Sequence, residues 1–375
     1  MKPKLDFVDS ELERLKKNNL YRKLRFGVTK GAIIRIDGKN LLNLCSNDYL
    51  GIPPVKLKLK QMQSSSRLVS GNDDTYRTLE KKLAKHKSQE SSLIFPTGYM
   101  ANLGAISALA KKEDLILSDE FNHASIIEAC KLSGAKISIY KHNDMNDLEQ
   151  KLKQKSKNKF VITEGIFSMD GDFAKLKEIT EISQKSNAIT VLDDAHGDFV
   201  VGKDGKGTGN HFKVSKKIDL YISSLSKGLG SFGGYVASQN NVIDFCINKS
   251  KTFIYTSALP SIFLEHAIKR FDSNRKKQVT KLQNNVKFFS SGLEQIGFEI
   301  KSKTHIIPII IGDEKKTIEI GRHLFENGLH IQPIRYPTVP KNKARLRISI
   351  TAWLTKREME RALTVLENTY NKFVK

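Results

Sequence analysis

The chain has 375 residues, too many for one typical core, and this length predicts a large domain accompanied by a smaller one. Its net charge of +23 comes mostly from lysine without the arginine-rich stripe of a nucleic-acid binder, which indicates a solvated surface or attraction for an anionic substrate or acidic partner. The three widely spaced cysteines give neither a disulfide framework nor a metal pattern, and no apolar run approaches the ~20 residues that cross a bilayer.

The first predicted elements are an amphipathic charged helix over residues 9–25 and two short strands within 32–42, joined at the Asp37-Gly38 turn. From about residue 70 onward, strand-like and helix-like stretches alternate. The predicted strands are 92–95, 114–117, 136–140 and 160–163, and the predicted helices are 79–87, 100–111, 124–132 and 145–154. This alternation predicts a mostly parallel sheet that is covered by helices, and therefore an α/β protein.

The last third of the chain predicts a smaller α+β domain. A long helical region follows Pro260 and runs to about Ile296, and strands at 306–311 and 346–350 precede a closing helix from Lys356. We therefore expect three parts. They are an N-terminal helix with short strands (1–45) that packs with the small domain, a large domain (46–258) and a C-terminal small domain (259–375).

Residues 221–234 place Lys227 after a short apolar run and among hydroxyls and glycines. The apolar run predicts a buried strand, Ser224 and Ser226 offer hydroxyl donors, and the glycines allow backbone to approach a ligand closely. A lysine in such a place loses its proton more easily than one in water, which makes it a usable amine nucleophile. On this segment alone, a glycine-flanked surface lysine is the simpler interpretation.

Residues 187–197 predict a buried strand that ends on Asp193, Asp194 and His196. In open α/β sheets, ligands collect at the carboxyl ends of strands. Pyridoxal phosphate requires a lysine for its aldehyde and a carboxylate that keeps its ring nitrogen protonated, besides donors to its phenolic oxygen and phosphate. Asp193 is our candidate for the ring nitrogen and His196 for the phenolic oxygen, while Asp194 could equally begin a polar loop.

The order of these motifs resembles the α-oxoamine synthase family, pyridoxal-phosphate enzymes of aspartate-aminotransferase-like fold (fold type I). The resemblance begins with Asp193-Asp-Ala-His196, followed about thirty residues later by Ser-Leu-Ser-Lys227-Gly. It continues in residues 46–51, 66–71, 97–102, 122–125, 163–172 and 337–347. It implies bound pyridoxal 5'-phosphate and a homodimer with the active site at the subunit interface, where Thr256 or Ser257 reaches the neighbour's phosphate.

The resemblance also implies roles for residues around the cofactor. Gly98 and Tyr99, at a strand-to-helix turn suited to an anion, would bind the phosphate together with the hydroxyl of Ser224. His123 would stack on the pyridine ring and assist proton transfer, and Ser168 would add a hydroxyl. Without the resemblance, these are an ordinary turn glycine, a surface or core histidine and a turn serine.

An amino acid carboxylate is best gripped by a guanidinium fork, which gives two parallel charge-assisted hydrogen bonds. Arg345 and Arg347 share one face of a predicted strand, so spacing alone does not choose between them. The resemblance favours Arg347 for the substrate and leaves Arg345 structural. It also associates Asn47, Arg22 and Thr338 with the substrate.

Within the family, the likeness is strongest to members of the biotin pathway, which implies a decarboxylating condensation of L-alanine with a pimeloyl thioester of coenzyme A or acyl carrier protein. Lys227, Asp193 and His123 would be the catalytic residues. Tyr336 departs from this pattern, since biotin-pathway members typically have proline there and glycine-using relatives often have tyrosine. Tyr76 and residues 64–66 depart as well, so selectivity is less defined than cofactor chemistry.

Two alternatives follow. A glycine-using relative, either acetyl-transferring or 5-aminolevulinate-forming, is kept open by Tyr336. A basic binding protein on a degenerate enzyme scaffold is disfavoured because Lys227, Asp193 and His196 occur together. We expect a cytoplasmic enzyme that lacks a leader segment and has no metal, membrane or nucleic-acid partner.

Overall fold

The computed structural model describes residues 4–18, 20–58, 61 and 64–375. Residues 1–3 and 19, which belong to the predicted N-terminal part, and residues 59, 60, 62 and 63 lie outside the described residues. The N-terminal part begins with helix α1 (Asp6–Lys17) and continues with strands β1 (Gly27–Lys30), β2 (Ile33–Ile36) and β3 (Lys39–Asn43). Helix α1 ends earlier than residue 25, because Asn18, a poor helix former, is its C-cap.

Seven strands form the central sheet in the order β4-β10-β9-β8-β7-β5-β6. They are β4 (Ser91–Phe95), β5 (Leu115–Asp119), β6 (Lys136–Tyr140), β7 (Lys159–Glu164), β8 (Ile189–Asp193), β9 (Leu220–Ser224) and β10 (Gly234–Ser238). Strand β10 runs antiparallel to both of its neighbours, and the other pairs are parallel. The predicted α/β class with a mostly parallel sheet is confirmed, although the sequence patterns did not predict β10.

The sheet is buried on both faces except at its edge strand β6, which is mostly exposed, because the other strands alternate between two apolar clusters. Phe160 and Ile162 pack into one cluster, while Val161 between them packs into the other. The helices of this region are α2 (Asp74–Lys87), α3 (Gly98–Leu109), α4 (Ala124–Ser133), α5 (Met145–Leu152), α6 (Leu176–Lys185), α7 (Thr208–His211), α8 (Asn240–Lys249) and α9 (Lys251–Ile254). Two of them, α3 and α4, begin directly after the turns that follow β4 and β5, so their N-termini face the carboxyl edge of the sheet.

The C-terminal part contains α10 (Ser261–Phe271), α11 (Arg275–Ile296), β11 (Ile306–Gly312), α12 (Glu314–Glu326), β12 (Leu329–His330), β13 (Gln332–Ile334), β14 (Ala344–Ser349) and α13 (Lys356–Phe373). The predicted long helix is in fact two helices, since the Asn274 side chain caps a new helix by accepting a hydrogen bond from the Lys277 backbone N–H. Strands β11, β14 and β13 form an antiparallel sheet. Strand β12 pairs in parallel with β3, so residues from the two ends of the chain share a sheet. The domain limits themselves remain a prediction.

Among the helices of the described part of the chain, none combines the length and apolar character that spanning a membrane requires.

Candidate active site

Five of the predicted site residues lie at the carboxyl ends of four parallel strands, where ligands of open α/β sheets bind. Gly98 follows β4, His123 follows β5, Asp193 ends β8, and Ser224 ends β9 with Lys227 three residues beyond. These five residues and Tyr99 line a cavity of about 200 Å³. Residues that are far apart in sequence therefore converge on one small site.

The amine of Lys227 lies beside an imidazole rather than in open solvent. Its Nζ is 2.9 Å from Nε2 of His196. Burial lowers the pKa of Lys227, and although the carboxyls of Asp193 and Glu164 oppose this, the charge of Arg347 adds to it. A lysine with a lowered pKa offers more of the neutral, nucleophilic amine at neutral pH. The surface-lysine interpretation is therefore not supported.

The carboxylate of Asp193 is held by two donors. Its Oδ2 accepts a hydrogen bond of 2.7 Å from Nδ2 of Asn102, and its Oδ1 accepts one of 3.0 Å from the backbone N–H of Ala195. Nδ2 of Asn102 also donates to Oγ of Ser125 at 3.0 Å, which fixes the amide. Asp193 is buried, so this orientation is fixed inside the fold.

His196 is a buried imidazole with a partner at each nitrogen. Nε2 contacts Lys227, and Nδ1 lies 2.7 Å from the hydroxyl oxygen of Tyr49. Burial lowers the pKa of His196 well below its usual value, and the positive charges of Lys227 and Arg347 lower it further. The ring is therefore neutral, with one donor and one acceptor nitrogen.

His123 is the N-cap of α4. Its Nδ1 accepts from the backbone N–H of Ser125 at 3.2 Å and lies 2.8 Å from Oγ of the same residue. Its ring meets that of Tyr99 edge to face, with 6.3 Å between the centroids. Partial burial lowers the pKa of His123, and the charge of Lys227 lowers it further. The charge of Asp193 raises this pKa but does not outweigh the burial. A neutral aromatic ring is thus held at the cavity wall.

The start of α3 has the geometry of an anion cradle. Thr97 caps this helix by accepting from the backbone N–H of Met100 at 3.1 Å, which leaves the first N–H groups at the cavity. A side chain on Gly98 would place its Cβ 3.1 Å from Cβ of Ser224, so glycine allows the helix start to approach that hydroxyl. Ser224 Oγ is in turn 2.8 Å from Oγ of Ser226.

Arg347 joins Ser168 and Asn47 on the side of the site nearest β14. Its Nε donates to the backbone oxygen of Ser168 at 2.6 Å, and its Nη1 donates to Oγ of Ser349 at 2.8 Å and contacts Oδ1 of Asn47 at 3.5 Å. Arg345 instead pairs with Asp170, with 2.5 Å between Nη1 and Oδ1. The fold thus gives the two arginines different partners, a difference that sequence spacing could not predict. The substrate role of Arg347 remains a prediction.

Arg22 and Thr338 are brought to each other, with 3.5 Å between Nη2 and Oγ1, but both are exposed. In the described part of the chain, neither lines the cavity that Lys227 lines. Their predicted association with the substrate remains a prediction.

Asp194 does not begin a polar loop. It is fully buried and pairs with the ammonium of Lys87, with 2.8 Å between Oδ2 and Nζ. The same ammonium lies 2.7 Å from Oδ1 of Asp198. The turn that carries Asp193 and His196 is therefore anchored from behind by a buried ion cluster, and Lys87 gave no such signal in the sequence.

Glu164, Asn102 and Tyr49 are site residues that the sequence analysis missed. Glu164 ends β7 opposite Asp193 in the parallel register, and within the described residues its buried Oε1 has no hydrogen-bond partner. Burial and then the charge of Asp193 raise the pKa of Glu164 well above its usual value, which favours the protonated form of this carboxyl. A polar residue that ends an apolar strand, as Asp193 does, was the signal that could have found Glu164.

Comparison with known proteins identifies the family. The model for aminotransferase class I and II matches residues 39–366. The chain belongs to this family. The 8-amino-7-oxononanoate synthase of Thermoanaerobacter pseudethanolicus is 43% identical over 380 residues, which cover 97% of this chain and 96% of that protein. Such identity over the whole length also places the chain among the 8-amino-7-oxononanoate synthases, as the resemblance to α-oxoamine synthases implied.

Solved structures agree. A serine palmitoyltransferase variant from S. paucimobilis with bound PLP and myriocin has a TM-score of 0.91 at 26% identity and covers 99% of this chain and 98% of its own. An 8-amino-7-oxononanoate synthase from Francisella tularensis has a TM-score of 0.73 at 27% identity and covers 88% of this chain and 98% of its own. The fold is therefore that of fold type I pyridoxal-phosphate enzymes.

The cofactor is pyridoxal 5'-phosphate, and the residues present fit it. The cavity presents an amine of lowered pKa, a carboxylate fixed by two donors and a helix start beside a hydroxyl. These are the groups required by an aldehyde, a ring nitrogen that must stay protonated and a phosphate.

Proposed function

We propose that this chain condenses L-alanine with a pimeloyl thioester, forming 8-amino-7-oxononanoate and releasing CO2 and the free thiol carrier. The observation that carries the proposal is the convergence of Lys227 and Asp193 on one cavity, with His196 Nε2 2.9 Å from Lys227 Nζ. Family membership supports the same reaction class.

When bound, pyridoxal phosphate supplies an electron sink for the negative charge that develops at the α-carbon of alanine. We assign Gly98, Tyr99 and Ser224 to its phosphate, and Asp193 to the ring nitrogen. His196 would serve the phenolic oxygen, Ser168 would add a hydroxyl to the cofactor site, and His123 would lie on the face of the ring.

Lys227 has two tasks in this proposal. Its Nζ would hold the cofactor through the aldehyde carbon until the amino group of alanine takes that place. The freed amine then takes the α-proton as general base, and its lowered pKa favours the neutral form that this step requires. Asp193 holds the proton on the ring nitrogen throughout, and His123 assists proton transfer at the α-carbon.

Arg347 and Asn47 would bind the alanine carboxylate, with Arg22 and Thr338 nearer the surface. The guanidinium of Arg347 is positioned beforehand by Ser168 and Ser349, so less side-chain freedom is lost when a carboxylate binds. In the proposed reaction the α-carbon would bond to the thioester carbonyl carbon as the carbon–sulfur bond breaks and the thiol carrier leaves. The carboxylate would then depart as CO2, and a proton would take its place at the α-carbon.

A substrate panel tests the reaction. Alanine, glycine and serine are each assayed with pimeloyl, acetyl and succinyl coenzyme A, and kcat/KM is expected to be highest for alanine with the pimeloyl donor. Lys227→Ala should abolish turnover, while Lys249→Ala, on the last turn of α8, serves as the lysine control. A preference for glycine would overturn the choice of alanine.

The glycine-using alternative rests on Tyr336. Tyr336 is 40% exposed, and the ammonium of Lys341 lies over its ring, 5.5 Å from the centroid. Tyr336→Pro tests this alternative, because a residue that selects glycine should shift the alanine-to-glycine ratio of kcat/KM when it is replaced. An unchanged ratio would remove the alternative's basis.

We further propose that the enzyme is a cytoplasmic homodimer. Leu68, Val69 and Tyr255 are 53%, 79% and 82% exposed, which supports their burial against a second copy. Thr256 or Ser257 would then reach the phosphate in the neighbouring site. Light scattering of the purified protein checks the dimer, and a monomeric mass under turnover conditions would contradict it.

A further inference from the structure

A run of polar contacts leads from the amine of Lys227 to the predicted carboxylate site. Nζ of Lys227 lies 2.9 Å from Nε2 of His196, and Nδ1 of the same ring lies 2.7 Å from the hydroxyl oxygen of Tyr49. That hydroxyl also donates to Oδ1 of Asn47 at 3.0 Å, an oxygen that Nη1 of Arg347 contacts at 3.5 Å. Tyr49 is the middle member of this run and has no role in the proposed reaction.

The hydrogens of this run follow from the chemistry of its members. Oδ1 of Asn47 can only accept, so the hydroxyl hydrogen of Tyr49 points toward it, and the hydroxyl oxygen accepts from Nδ1–H of His196. Nε2 of the neutral ring is then the acceptor that faces the amine of Lys227. Tyr49 and Asn47 therefore decide which tautomer His196 adopts in the protein alone.

A hydroxyl can serve either tautomer because it both donates and accepts. If Nε2 must donate, as it must to an anionic phenolic oxygen, Nδ1 becomes the acceptor and the Tyr49 hydroxyl rotates to donate to it. Oδ1 of Asn47 keeps its contact with Arg347 in that arrangement. A phenylalanine at position 49 would serve neither tautomer.

The tyrosine itself is rigid. Its side chain is fully buried, and its ring lies 3.9 Å from that of His305, centroid to centroid. Its backbone N–H donates to the backbone oxygen of Asn47 at 2.9 Å, and its backbone oxygen accepts from the backbone N–H of Ala352 at 2.8 Å. Burial raises the pKa of Tyr49, so the hydroxyl keeps its hydrogen at neutral pH.

We propose that Tyr49 is a positioning residue that holds the ring of His196 in place and lets its Nε2 switch between acceptor and donor. This inference rests on the proposed role of His196 at the phenolic oxygen. Other titratable or charged groups also act on His196, and they are Lys227, Arg347, His305 and His123. A test must therefore separate the hydroxyl of Tyr49 from this surrounding field.

The test uses Tyr49→Phe, His196→Gln and the double variant, each prepared without cofactor and titrated with pyridoxal 5'-phosphate. Two quantities are measured. They are the Kd for pyridoxal 5'-phosphate and the pH midpoint, the pH at which the visible absorption band of the bound cofactor is half changed. Tyr49→Phe should raise the Kd about tenfold, because it leaves a buried ring nitrogen unpaired. The midpoint should rise by about one pH unit, because a weaker donor stabilises the phenolic anion less.

The double variant decides whether Tyr49 acts through His196. If it does, the double variant should match His196→Gln alone, so the two effects are not additive. The matched control is Tyr221→Phe, which removes another buried hydroxyl, one that donates to the backbone oxygen of Ser215 at 3.3 Å. It should leave the Kd and the midpoint unchanged.

Three results would overturn the inference. They are a Tyr49→Phe protein that binds and titrates like the wild type, effects of the two single variants that add, and a Tyr49→Phe protein that circular dichroism shows to be unfolded. A His196→Gln protein with wild-type Kd and midpoint would instead remove the proposed role of His196, and the inference with it. The failure of Tyr49 is thus distinguishable from the failure of His196.

Discussion

Lys87→Met should be one of the most destabilising single substitutions in this chain. The ammonium of Lys87 lies 2.8 Å from Asp194 and 2.7 Å from Asp198, and all three side chains are at most 1% exposed. Removing one partner of a buried pair costs about 3–5 kcal/mol, because the charge that remains is uncompensated. Here two carboxylates lose their cation, so we expect the upper half of that range.

The local backbone adds to this expectation. Phe199, next to Asp198, is fully buried with a φ of 65°, a conformation that non-glycine residues adopt only where the surroundings impose it. Asp198 also accepts hydrogen bonds from Ser223 and Tyr235 and pairs with His86. The turn is therefore held by several contacts, of which Lys87 provides the charge balance.

The assay is urea unfolding followed by circular dichroism and by the fluorescence of Trp353, and coincident transitions permit a two-state free energy. Lys82→Met is the control on the same helix, because Lys82 forms a surface pair with Asp272 that is worth about 0–1 kcal/mol. Lys87→Met/Asp194→Asn keeps the cluster's net charge and should recover part of the loss. If Lys87→Met lowers the free energy of unfolding no more than Lys82→Met does, the buried ion cluster does not stabilise the fold as argued.

The pH dependence has a definite sign. Burial alone would raise the pKa of Asp198, but Lys87 and His86 outweigh it, so the pKa in the fold is below its usual value. A carboxyl with a lowered pKa stabilises the fold fully above its unfolded pKa of about 4, and this contribution is lost as the pH falls from there through the lowered pKa in the fold. The difference in the free energy of unfolding between wild type and Lys87→Met should therefore narrow as the pH falls below about 4.

Three further predictions concern other parts of the molecule. Burial opposes a charge on His142, but Asp119 and Asp172 raise its pKa to about 10. The protonated ring therefore stabilises the fold fully below pH ~6.5, and this contribution is lost as the pH rises through about 10. Between pH 7 and pH 10.5, the free energy of unfolding measured in urea should fall by about 2 kcal/mol more for wild type than for His142→Asn. Parallel plots of that free energy against pH would contradict this. Asp193→Asn should bind cofactor but exchange the α-proton of alanine with deuterated solvent far more slowly than wild type, and equal exchange would remove its assignment. The net charge is +23, and the Debye length falls from ~10 Å at 0.1 M salt to ~3 Å at 1 M, so added salt should weaken the attraction of an anionic acyl donor. We therefore expect kcat/KM for the acyl donor to fall with salt, more for a carrier protein than for coenzyme A. A flat salt profile for both donors would indicate that the lysines only form a solvated surface.

The sequence by itself predicted the fold class, and it predicted several of the residues that the structure brings to one cavity. The apolar strands that end on Asp193 and precede Lys227 have a period and length that local sequence encodes, and the carboxyl edge of a parallel sheet then brings such ends together. Gly98, at a strand-to-helix turn, likewise indicated a helix start suited to an anion, and the structure has α3 begin there. These features are local, so they can be read without the fold.

Only the tertiary structure decided which buried polar groups meet across the chain. Lys87 looks like one of many lysines in sequence, yet it reaches Asp194 from a helix more than a hundred residues away. Arg345 and Arg347 share a strand face and are separated only by what lies opposite them, Asp170 for one and Ser168 for the other. Such pairings depend on long-range packing, because burial makes each polar group require a partner but does not specify where in the sequence that partner lies.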